Sequence, residues 1–317
     1  MAEAFIQANH LKKYFKTPRG MLHAVDDVTL SIPKGKTLGI VGESGCGKST
    51  LGRLMLNLLE PTSGEMLLDG QNIYKLRSSQ MKKMRTRAQM IFQDPYSSLN
   101  PRMSVSEIIA EPIIANDLIK NRQDIQKRVE ELMDTVGLAQ RFINAYPHEL
   151  DGGRRQRIGV ARALAVNPEF IVCDEPVSAL DVSIQAQILN LMMDLQDELG
   201  LTYVFITHDL SVVKHISDEI AVMYLGQCVE RVPSKELFQN PLHPYTKALL
   251  SAIPIPDLST RGRKRQILTG EVKSPIEPKP GCRFAARCPN ATAACAEHVC
   301  NLKEVEPNHF VSCVLYE

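Results

Sequence analysis

The sequence predicts an α/β fold built on a largely parallel sheet, with a helical segment inserted into it. Over about the first 240 of 317 residues, short β-branched runs alternate with longer amphipathic patterns, as in strand–helix–strand units. Between residues 97 and 165 the strand signals disappear and helical periodicity takes over. Prolines become frequent from residue 241 onward. We therefore expect an α/β domain over residues 1–240, with a helical subdomain at about 97–165, and an extension over 241–317.

Three short apolar runs are the predicted central strands, because each is uninterrupted and rich in β-branched residues. They cover residues 37–41, 170–173 and 203–207. The first run is followed by a glycine-rich turn and by a helix predicted from about Lys48 to Leu59. The second and third runs end in acidic or histidine residues. Polar side chains are thus expected where these buried strands stop.

The composition is that of a soluble globular protein and disfavours two classes of partner. The formal net charge is +1 at pH 7, which favours neither nucleic acid nor an anionic membrane surface. Residues 1–9 include Glu3 and no long apolar run, so no signal peptide is predicted. No stretch approaches the ~18 apolar residues that a membrane-spanning helix needs. We expect a cytoplasmic protein that reaches the membrane only through partner proteins.

The glycine-rich turn has the pattern of a phosphate-binding loop, G-x-x-x-x-G-K-S. It consists of Gly42, Glu43, Ser44, Gly45, Cys46, Gly47, Lys48 and Ser49, and Thr50 follows it. The glycines let the backbone wrap tightly, so that N–H groups and the helix N-terminus face the phosphates. Lys48 can then reach the β- and γ-phosphates, and the Ser49 hydroxyl can bind Mg²⁺. The loop predicts an ATP site.

Carboxylate, amide and imidazole side chains are the other expected parts of that site. Asp174 ends a buried strand and is suited to the Mg²⁺ sphere, and the adjacent Glu175 can polarise the attacking water. Gln93 ends a short apolar run where the helical segment begins, and its amide can bind Mg²⁺ or the water. His208 follows a buried strand and can contact the γ-phosphate. Glu175 and His208 are the predicted catalytic residues.

These elements, in this order, resemble the nucleotide-binding subunits of ABC transporters across at least residues 5–240. The resemblance implies an ATPase with a P-loop NTPase fold, an inserted helical subdomain and an antiparallel β subdomain. It implies that the loop is the Walker A motif, Gln93 the Q-loop, Asp174 the end of Walker B and His208 the switch histidine. It also implies that Phe15 stacks on adenine, with Tyr14 as the neighbouring alternative.

One motif departs from the family pattern. The family signature is Leu-Ser-Gly-Gly-Gln, whereas this chain has Leu150, Asp151, Gly152, Gly153 and Arg154. In the family the signature reaches the γ-phosphate from the opposite subunit, so Asp151 would set a carboxylate against a polyphosphate. Two unit charges ~4 Å apart repel by about 4 kcal/mol at an effective dielectric constant of ~20. The departure indicates either a degenerate site in an asymmetric pair of subunits or an engineered change.

The C-terminal extension is similar to that of oligopeptide and dipeptide importer ATPases. The likeness is carried by residues 240–250, 281–289 and 305–313, and residues 94–101 look like the dipeptide-type member. The resemblance implies a peptide importer, with a nickel or other solute importer, or a soluble ABC ATPase, as alternatives. The implied partners are a second ATPase subunit in a homo- or heterodimer, two transmembrane permeases and an extracytoplasmic peptide-binding protein, with no nucleic acid.

Most cysteines crowd the extension, which in a cytoplasmic chain suggests metal binding before disulfides, with reduced buried thiols as the alternative. The spacing of Cys282, Cys288, Cys295 and Cys313 leaves zinc and iron–sulfur open. They occupy the family's four cysteine positions, and the resemblance implies a [4Fe–4S] cluster, with zinc as the alternative. Cys300 falls outside this pattern and is predicted to be a spare thiol. Because the tail has few apolar residues, metal ligation is expected to supply much of its folding energy.

Overall fold

The computed structural model describes residues 4–253, 270 and 274–317, so part of the predicted extension lies outside it. The described residues form two compact units. The first unit contains residue 4, residues 33–36 and residues 72–206. The second contains residues 5–32, 37–71 and the described part of 207–317. The boundary at residue 240 stays a prediction.

The strands in the described residues are numbered in chain order. They are β1 (Ala4–Thr17), β2 (Gly20–Pro33), β3 (Thr37–Val41), β4 (Ser63–Leu68), β5 (Gln71–Asn72), β6 (Ala88–Ile91), β7 (Phe170–Asp174), β8 (Thr202–Ile206), β9 (Glu219–Tyr224), β10 (Gln227–Pro233), β11 (Lys303–Glu306) and β12 (His309–Val311). The three predicted central strands are confirmed as β3, β7 and β8, and every residue in each of these strands is buried.

The α-helices in the described residues are numbered in the same way. They are α1 (Lys48–Met55), α2 (Ser78–Arg87), α3 (Pro95–Ser98), α4 (Val105–Ala115), α5 (Arg122–Thr135), α6 (Gly152–Leu164), α7 (Val182–Leu199), α8 (Leu210–Ile216), α9 (Ser234–Gln239), α10 (Pro244–Ala252) and α11 (Ala294–Glu297). The prediction that the first helix extends to Leu59 is wrong, because α1 ends at Met55. Asn57, two residues later, has a left-handed backbone with φ 51°, which an α-helix does not continue through.

In the first unit, β6, β7 and β8 lie side by side and run parallel. Helices α3 to α6 occupy the chain between β6 and β7. Side-chain caps start several of these helices. Ser104 and Glu107 form a capping box on α4, Asn121 caps α5 and Asp151 caps α6. The caps satisfy amide donors that a helix N-terminus otherwise leaves unpaired.

The second unit contains two sheets. In one, β1 lies between β2 and β4, with β1 and β4 antiparallel. In the other, the order is β11-β12-β10-β9-β3, and only the β3–β9 pair in this row is parallel. β12 pairs with β10, so the C-terminal extension supplies the outer strands of this sheet. A second stretch of the extension contacts β2, because the His23 N–H donates to the Pro275 carbonyl oxygen at 2.9 Å.

Glu230 of β10 is a fully buried carboxylate that joins β10, β12 and the start of α10. It accepts the backbone N–H groups of Leu242 at 2.7 Å and His243 at 3.0 Å. Its Oε1 atom also lies 2.7 Å from Nε2 of His309, which is itself buried. A buried carboxylate needs such partners, because an unpaired charge in the interior is costly. The extension is thus held by strand pairing and buried polar contacts.

No helix in the described parts of the chain has both the length and the apolar character that crossing a membrane requires.

Candidate functional site

The residues expected to bind ATP are distributed over both units, beginning with the glycine-rich loop of the second unit. Gly42 has φ 151° and Gly47 has φ 104°, a region that residues with side chains rarely adopt. A Cβ atom on Gly42 would lie 2.2 Å from the Met223 carbonyl oxygen, and one on Gly47 would lie 2.1 Å from that of Ala24. The loop therefore needs glycine at both positions to reach the start of α1.

Lys48 is held against the loop by the loop's own backbone. Its Nζ atom donates to the carbonyl oxygens of Gly42 at 2.8 Å and Glu43 at 3.0 Å, and the residue is only 5% exposed. The Cys46 thiol is also near, 3.8 Å from Nζ. Burial raises the pKa of Cys46, so this thiol is neutral at pH 7. The loop consequently carries a fixed, enclosed positive charge at the start of α1, ahead of Ser49.

Glu43 in the loop is held by two residues that the sequence did not single out. Its backbone N–H donates to the Tyr245 hydroxyl at 2.9 Å. Its carboxylate accepts two hydrogen bonds from Arg287, at 2.7 and 3.0 Å. Both partners lie in segments of the extension that resemble the peptide importers, but no local spacing relates them to residue 43. Only the folded chain brings them to the loop.

The two aromatic candidates for adenine stacking have different surroundings. The Tyr14 ring stacks on His23 with centroids 3.9 Å apart, and its hydroxyl donates to Asp26. Burial and the hydrogen bond to Asp26 raise the pKa of Tyr14 well above its usual value. Phe15 is half-buried, and Nζ of Lys13 lies 5.1 Å from its ring centroid. One face of Tyr14 is therefore covered by an imidazole, and the assignment of Phe15, with Tyr14 as the alternative, stays a prediction.

His208 is an exposed residue of the second unit, directly before Asp209, which caps α8. The preceding residue, Thr207, donates its N–H to the Ile40 carbonyl oxygen at 3.1 Å. Ile40 belongs to β3, and β3 leads into the glycine-rich loop at Gly42. The turn that carries His208 therefore lies beside the end of the strand from which the loop departs.

In the first unit, Gln93 and Glu175 are brought together. Nε2 of Gln93 donates to Oε2 of Glu175 at 3.0 Å. Glu175 follows the buried Asp174 at the end of β7 and has a left-handed φ of 47°, while its N–H donates to the Ile206 carbonyl oxygen at 2.9 Å. Such backbone conformations are costly for a residue with a side chain and are concentrated at functional sites.

The unusual signature segment neutralises its own charge. Asp151 caps α6 by accepting the Arg154 N–H at 2.8 Å, the role that serine commonly has at a helix N-terminus. Its second carboxylate oxygen lies 2.6 Å from Nη1 of Arg154, whose guanidinium lies 4.8 Å from the ring centroid of Phe142. Asp151 and Arg154 thus form a local pair, flanking Gly152 and Gly153 in sequence.

The cysteines of the extension lie near one another. The Cys282 N–H donates to the Cys295 carbonyl oxygen at 2.7 Å. Burial raises the pKa of Cys282, Cys288 and Cys313, and repulsion from the thiolate form of neighbouring cysteines raises it further. Cys300, predicted to be a spare thiol, belongs to this neighbourhood, where burial first and then Glu317 and nearby cysteines raise its pKa to about 12.

Thiolates are the usual ligands of iron–sulfur clusters and of structural zinc, so the donor atoms of this group suit either metal. Within residues 4–253, 270 and 274–317, however, no group of three or more His, Cys, Asp or Glu side chains is arranged to hold a metal ion. The thiols of these cysteines are thus suitable ligands for either metal, but the side chains are not arranged as a metal site in the described residues.

Comparison with known proteins places the chain in a family. The sequence model of the family described as "ABC transporter" matches residues 25–178, and that described as "Oligopeptide/dipeptide transporter, C-terminal region" matches residues 229–295. The oligopeptide transport ATP-binding protein AppF of Bacillus subtilis is 52% identical over 99% of this chain and 98% of its own length. The dipeptide transport ATP-binding protein DppF of Haemophilus influenzae is 49% identical over 97% of this chain and 95% of its own length.

A solved structure gives the fold. The dimeric, post-hydrolysis form of the ATP-binding cassette MJ0796 bound to ADP and Pi matches with a TM-score of 0.67 at 30% identity. It covers 72% of this chain and 98% of its own. The chain thus has the fold of an ATP-binding cassette, and it belongs to the ABC transporter family, among the oligopeptide and dipeptide transport ATP-binding proteins.

Proposed function

We propose that this chain binds and hydrolyses ATP and so powers the import of dipeptides or oligopeptides. The observation that carries the proposal is the presence, in one chain, of the glycine-rich loop and of the C-terminal region that matches oligopeptide and dipeptide transporters. Relatives named for peptide transport match nearly the whole chain at about half identity. A nickel importer and a soluble ABC ATPase are the alternatives that the experiment below separates.

The proposed nucleotide contacts come from the loop and from one aromatic ring. Lys48 would bind the β- and γ-phosphates, Ser49 would bind Mg²⁺ and Phe15 would stack on adenine. The remaining loop contacts would be Gly42, Glu43, Ser44, Gly45, Cys46, Gly47 and Thr50. The enclosed ammonium group of Lys48 supports this assignment, because a fixed cation stabilises phosphate charge without reorganising during the reaction.

The proposed hydrolytic residues are Glu175 and His208, with Gln93 and Asp174 at the Mg²⁺. Glu175 would polarise the water that attacks the γ-phosphate, and the hydrogen bond from Gln93 would orient its carboxylate. His208 would stabilise the charge that spreads over the γ-phosphate in the transition state. The strained backbone at Glu175 supports a functional role for this position.

The proposed assembly is a dimer with a second ABC ATPase subunit, identical or different, on the cytoplasmic side of the membrane. Two permeases would bind this dimer, and an extracytoplasmic peptide-binding protein would deliver the substrate. In that dimer Asp151, Gly152, Gly153 and Arg154 would face the nucleotide of the opposite subunit. The dimeric state of the related cassette MJ0796 supports this arrangement.

We further propose that Cys282, Cys288, Cys295 and Cys313 bind a [4Fe–4S] cluster, with zinc as the alternative metal. Their proximity in the extension and their thiol chemistry support this assignment. When bound, the cluster would cross-link segments of the extension and add to their stability. Protein purified without oxygen is expected to contain iron and sulfide, and Cys288→Ser is expected to remove both. Cys300→Ser is the matched control and should retain them, whereas stoichiometric zinc would select the other metal.

The transport proposal is tested with the complete transporter in proteoliposomes. Peptides delivered by the binding protein are expected to stimulate ATP hydrolysis, and Lys48→Ala is expected to abolish it, because the phosphates lose their main cation. Stimulation by nickel without stimulation by any peptide would select the metal importer. If the isolated chain hydrolyses ATP at a rate that the permeases do not change, the soluble ATPase would be selected.

A further inference from the structure

Residues 282–288 form a tight turn in the extension, which we call the arginine turn because Arg283 and Arg287 project from it. The Ala285 N–H donates to the Cys282 carbonyl oxygen at 3.1 Å, and the Arg287 N–H donates to that of Phe284 at 2.9 Å. Ala285–Arg287 are a 3₁₀-helix. These bonds fix the backbone that carries both arginines.

The centre of the arginine turn is anchored in an aromatic cluster. Phe284 is only 1% exposed and packs edge-on to Tyr224 at 5.2 Å between ring centroids. It also packs against Tyr245 at 5.4 Å. Tyr245 is the residue whose hydroxyl accepts the N–H of Glu43 in the glycine-rich loop. The same cluster therefore seats the turn and holds the backbone of the loop.

Arg287 joins the turn to the side chain of Glu43. Its two terminal nitrogens lie 2.7 and 3.0 Å from the two carboxylate oxygens, the bidentate geometry in which arginine binds carboxylates best. The Arg287 side chain is 8% exposed and that of Glu43 is 25% exposed, so water screens this pair little. The hydrogen bonds to Glu43 raise the pKa of Arg287.

Arg283 holds the other flank of the same region. It pairs with Asp26, which also accepts the Tyr14 hydroxyl, and it donates to the Leu225 carbonyl oxygen. The next residue, Gly226, donates its N–H to the Cys46 carbonyl oxygen at 2.8 Å. The arginine turn thus contacts Glu43 of the loop directly through Arg287. It reaches Cys46 of the loop indirectly, because the segment that Arg283 binds donates the Gly226 N–H to Cys46.

The charge of Glu43 makes the Arg287 contact significant. A loop that binds polyphosphate works through positive charge and N–H dipoles, so an unneutralised carboxylate within it opposes binding. Arg287 neutralises this carboxylate, and its bidentate geometry also fixes where Glu43 lies. Lysine cannot reproduce both effects, because an ammonium group does not bind a carboxylate through a planar fork.

We propose that Arg287 is a positioning residue for ATP, so that the arginine turn of the extension sets the affinity of the glycine-rich loop. Arg287 acts through Glu43, whose charge it neutralises and whose place it fixes. The proposal rests on the assignment of residues 42–49 as the phosphate-binding loop. It gives the extension an effect on nucleotide binding through a contact, Arg287 with Glu43, in which no cysteine takes part.

The test measures Kd for a fluorescent ATP analogue and KM and kcat for ATP with the full chain. Arg287→Gln is expected to raise Kd and KM about tenfold, within the usual range of coupling between linked sites, with kcat changed less than twofold. Arg287→Lys should recover only part of the affinity. Glu43→Gln combined with Arg287→Gln should recover most of it, because the unneutralised carboxylate is gone.

Arg231→Gln is the matched control, since Arg231 forms a similarly buried pair with Glu219 at 3.0 Å in the same unit and lies outside the loop. Its Kd should stay within twofold of the unmodified chain. An equal loss of affinity in Arg231→Gln, an unchanged Kd in Arg287→Gln, or a double variant as weak as Arg287→Gln would each overturn the proposal. Failure of the unmodified chain to bind the analogue would instead contradict the assignment of the loop.

Discussion

Glu175 lies directly after a buried strand, in a backbone conformation that residues with side chains rarely adopt. Its N–H is held by the Ile206 carbonyl oxygen and its carboxylate by the amide of Gln93. Each contact limits where the carboxylate can point. At the scale of single residues, the chain therefore fixes a candidate general base in place through its main chain and its side chain together.

Glu175→Gln is expected to retain ATP binding and to lose turnover by about 10²–10⁴-fold, the usual contribution of a positioned base. The amide keeps the size of the side chain and loses its ability to accept a proton. Phosphate release by the reconstituted transporter measures the change. Glu169→Gln, which alters a carboxylate paired with Arg87 beside the start of β7, is the control and should stay active. Near-normal hydrolysis in Glu175→Gln would exclude it as the base.

At the scale of elements, the sequence predicted best those segments whose pattern depends only on burial. The runs at 37–41 and 170–173 coincide with β3 and β7, because a fully buried strand needs an unbroken apolar sequence. The glycine-rich loop was equally readable, since only glycine permits its backbone to bend where it does. The end of α1 was misplaced, because apolar residues after Met55 continue the pattern while the backbone turns at Asn57.

The contacts that could not be predicted from the sequence are those made by the extension. Arg287 lies far along the chain from Glu43, and ion pairing carries no periodicity that relates the two positions. The sequence predicts that Arg154 offsets part of the Asp151 charge, and their spacing of one helical turn permits pairing, but it does not show that Asp151 both pairs with Arg154 and caps α6. In both cases the residue types were visible, and the partner depended on the fold.

Helix α10 begins at a histidine that must stay neutral in the folded chain. Nδ1 of His243 accepts the Tyr245 N–H at 3.1 Å, and burial lowers the pKa of His243 to about 4, against opposing effects of Glu230 and additional lowering by Lys247. The unfolded chain binds a proton here below about pH 6.5, whereas the folded chain does not. The stability of the fold should therefore fall as pH decreases from about 6.5 toward 4.

His243→Asn is expected to reduce that pH dependence, because asparagine can cap the helix and does not titrate. The free energy of unfolding of both proteins, obtained from urea titrations at several pH values, gives the comparison. As pH decreases from about 6.5 to 4, the free energy of unfolding of the variant should rise by about 3 kcal/mol relative to that of the unmodified chain. This value follows from the shift in the pKa of His243. A constant difference across the range would show that His243 is not buried as a neutral group.

At the scale of the whole molecule, the signature segment would affect how two subunits close in the proposed dimer. The Asp151–Arg154 pair is largely exposed, so its mutual attraction is weak and either side chain is available to a partner. Arg154 offsets the carboxylate that Asp151 adds, which limits the repulsion expected from the sequence. The net effect on closure depends on how completely the two charges cancel.

Arg154→Gln alone is expected to weaken ATP-dependent dimerisation, because it leaves the Asp151 carboxylate uncompensated. Asp151→Ser with Arg154→Gln restores the family motif and should raise dimerisation and ATP hydrolysis together. A few kcal/mol on the closed form shifts this equilibrium by more than about a hundredfold. Size-exclusion chromatography with ATP in a hydrolysis-deficient background measures the first quantity. If neither variant changes dimerisation, Asp151 does not face a nucleotide.

The pairing of β12 with β10 also sets an order of events during synthesis. The second unit needs residues 5–32, yet it also needs residues 309–311 to cover Glu230. Ribosomes add roughly 5–20 residues per second, so β10, which ends at Pro233, waits roughly 4–16 s for its partner β12, which ends at Val311. Nearly all of the first unit lies between residues 72 and 206 and emerges in one stretch. The unit that carries the glycine-rich loop is thus the one whose last strand pairing forms late, after residues 72–206 have been made.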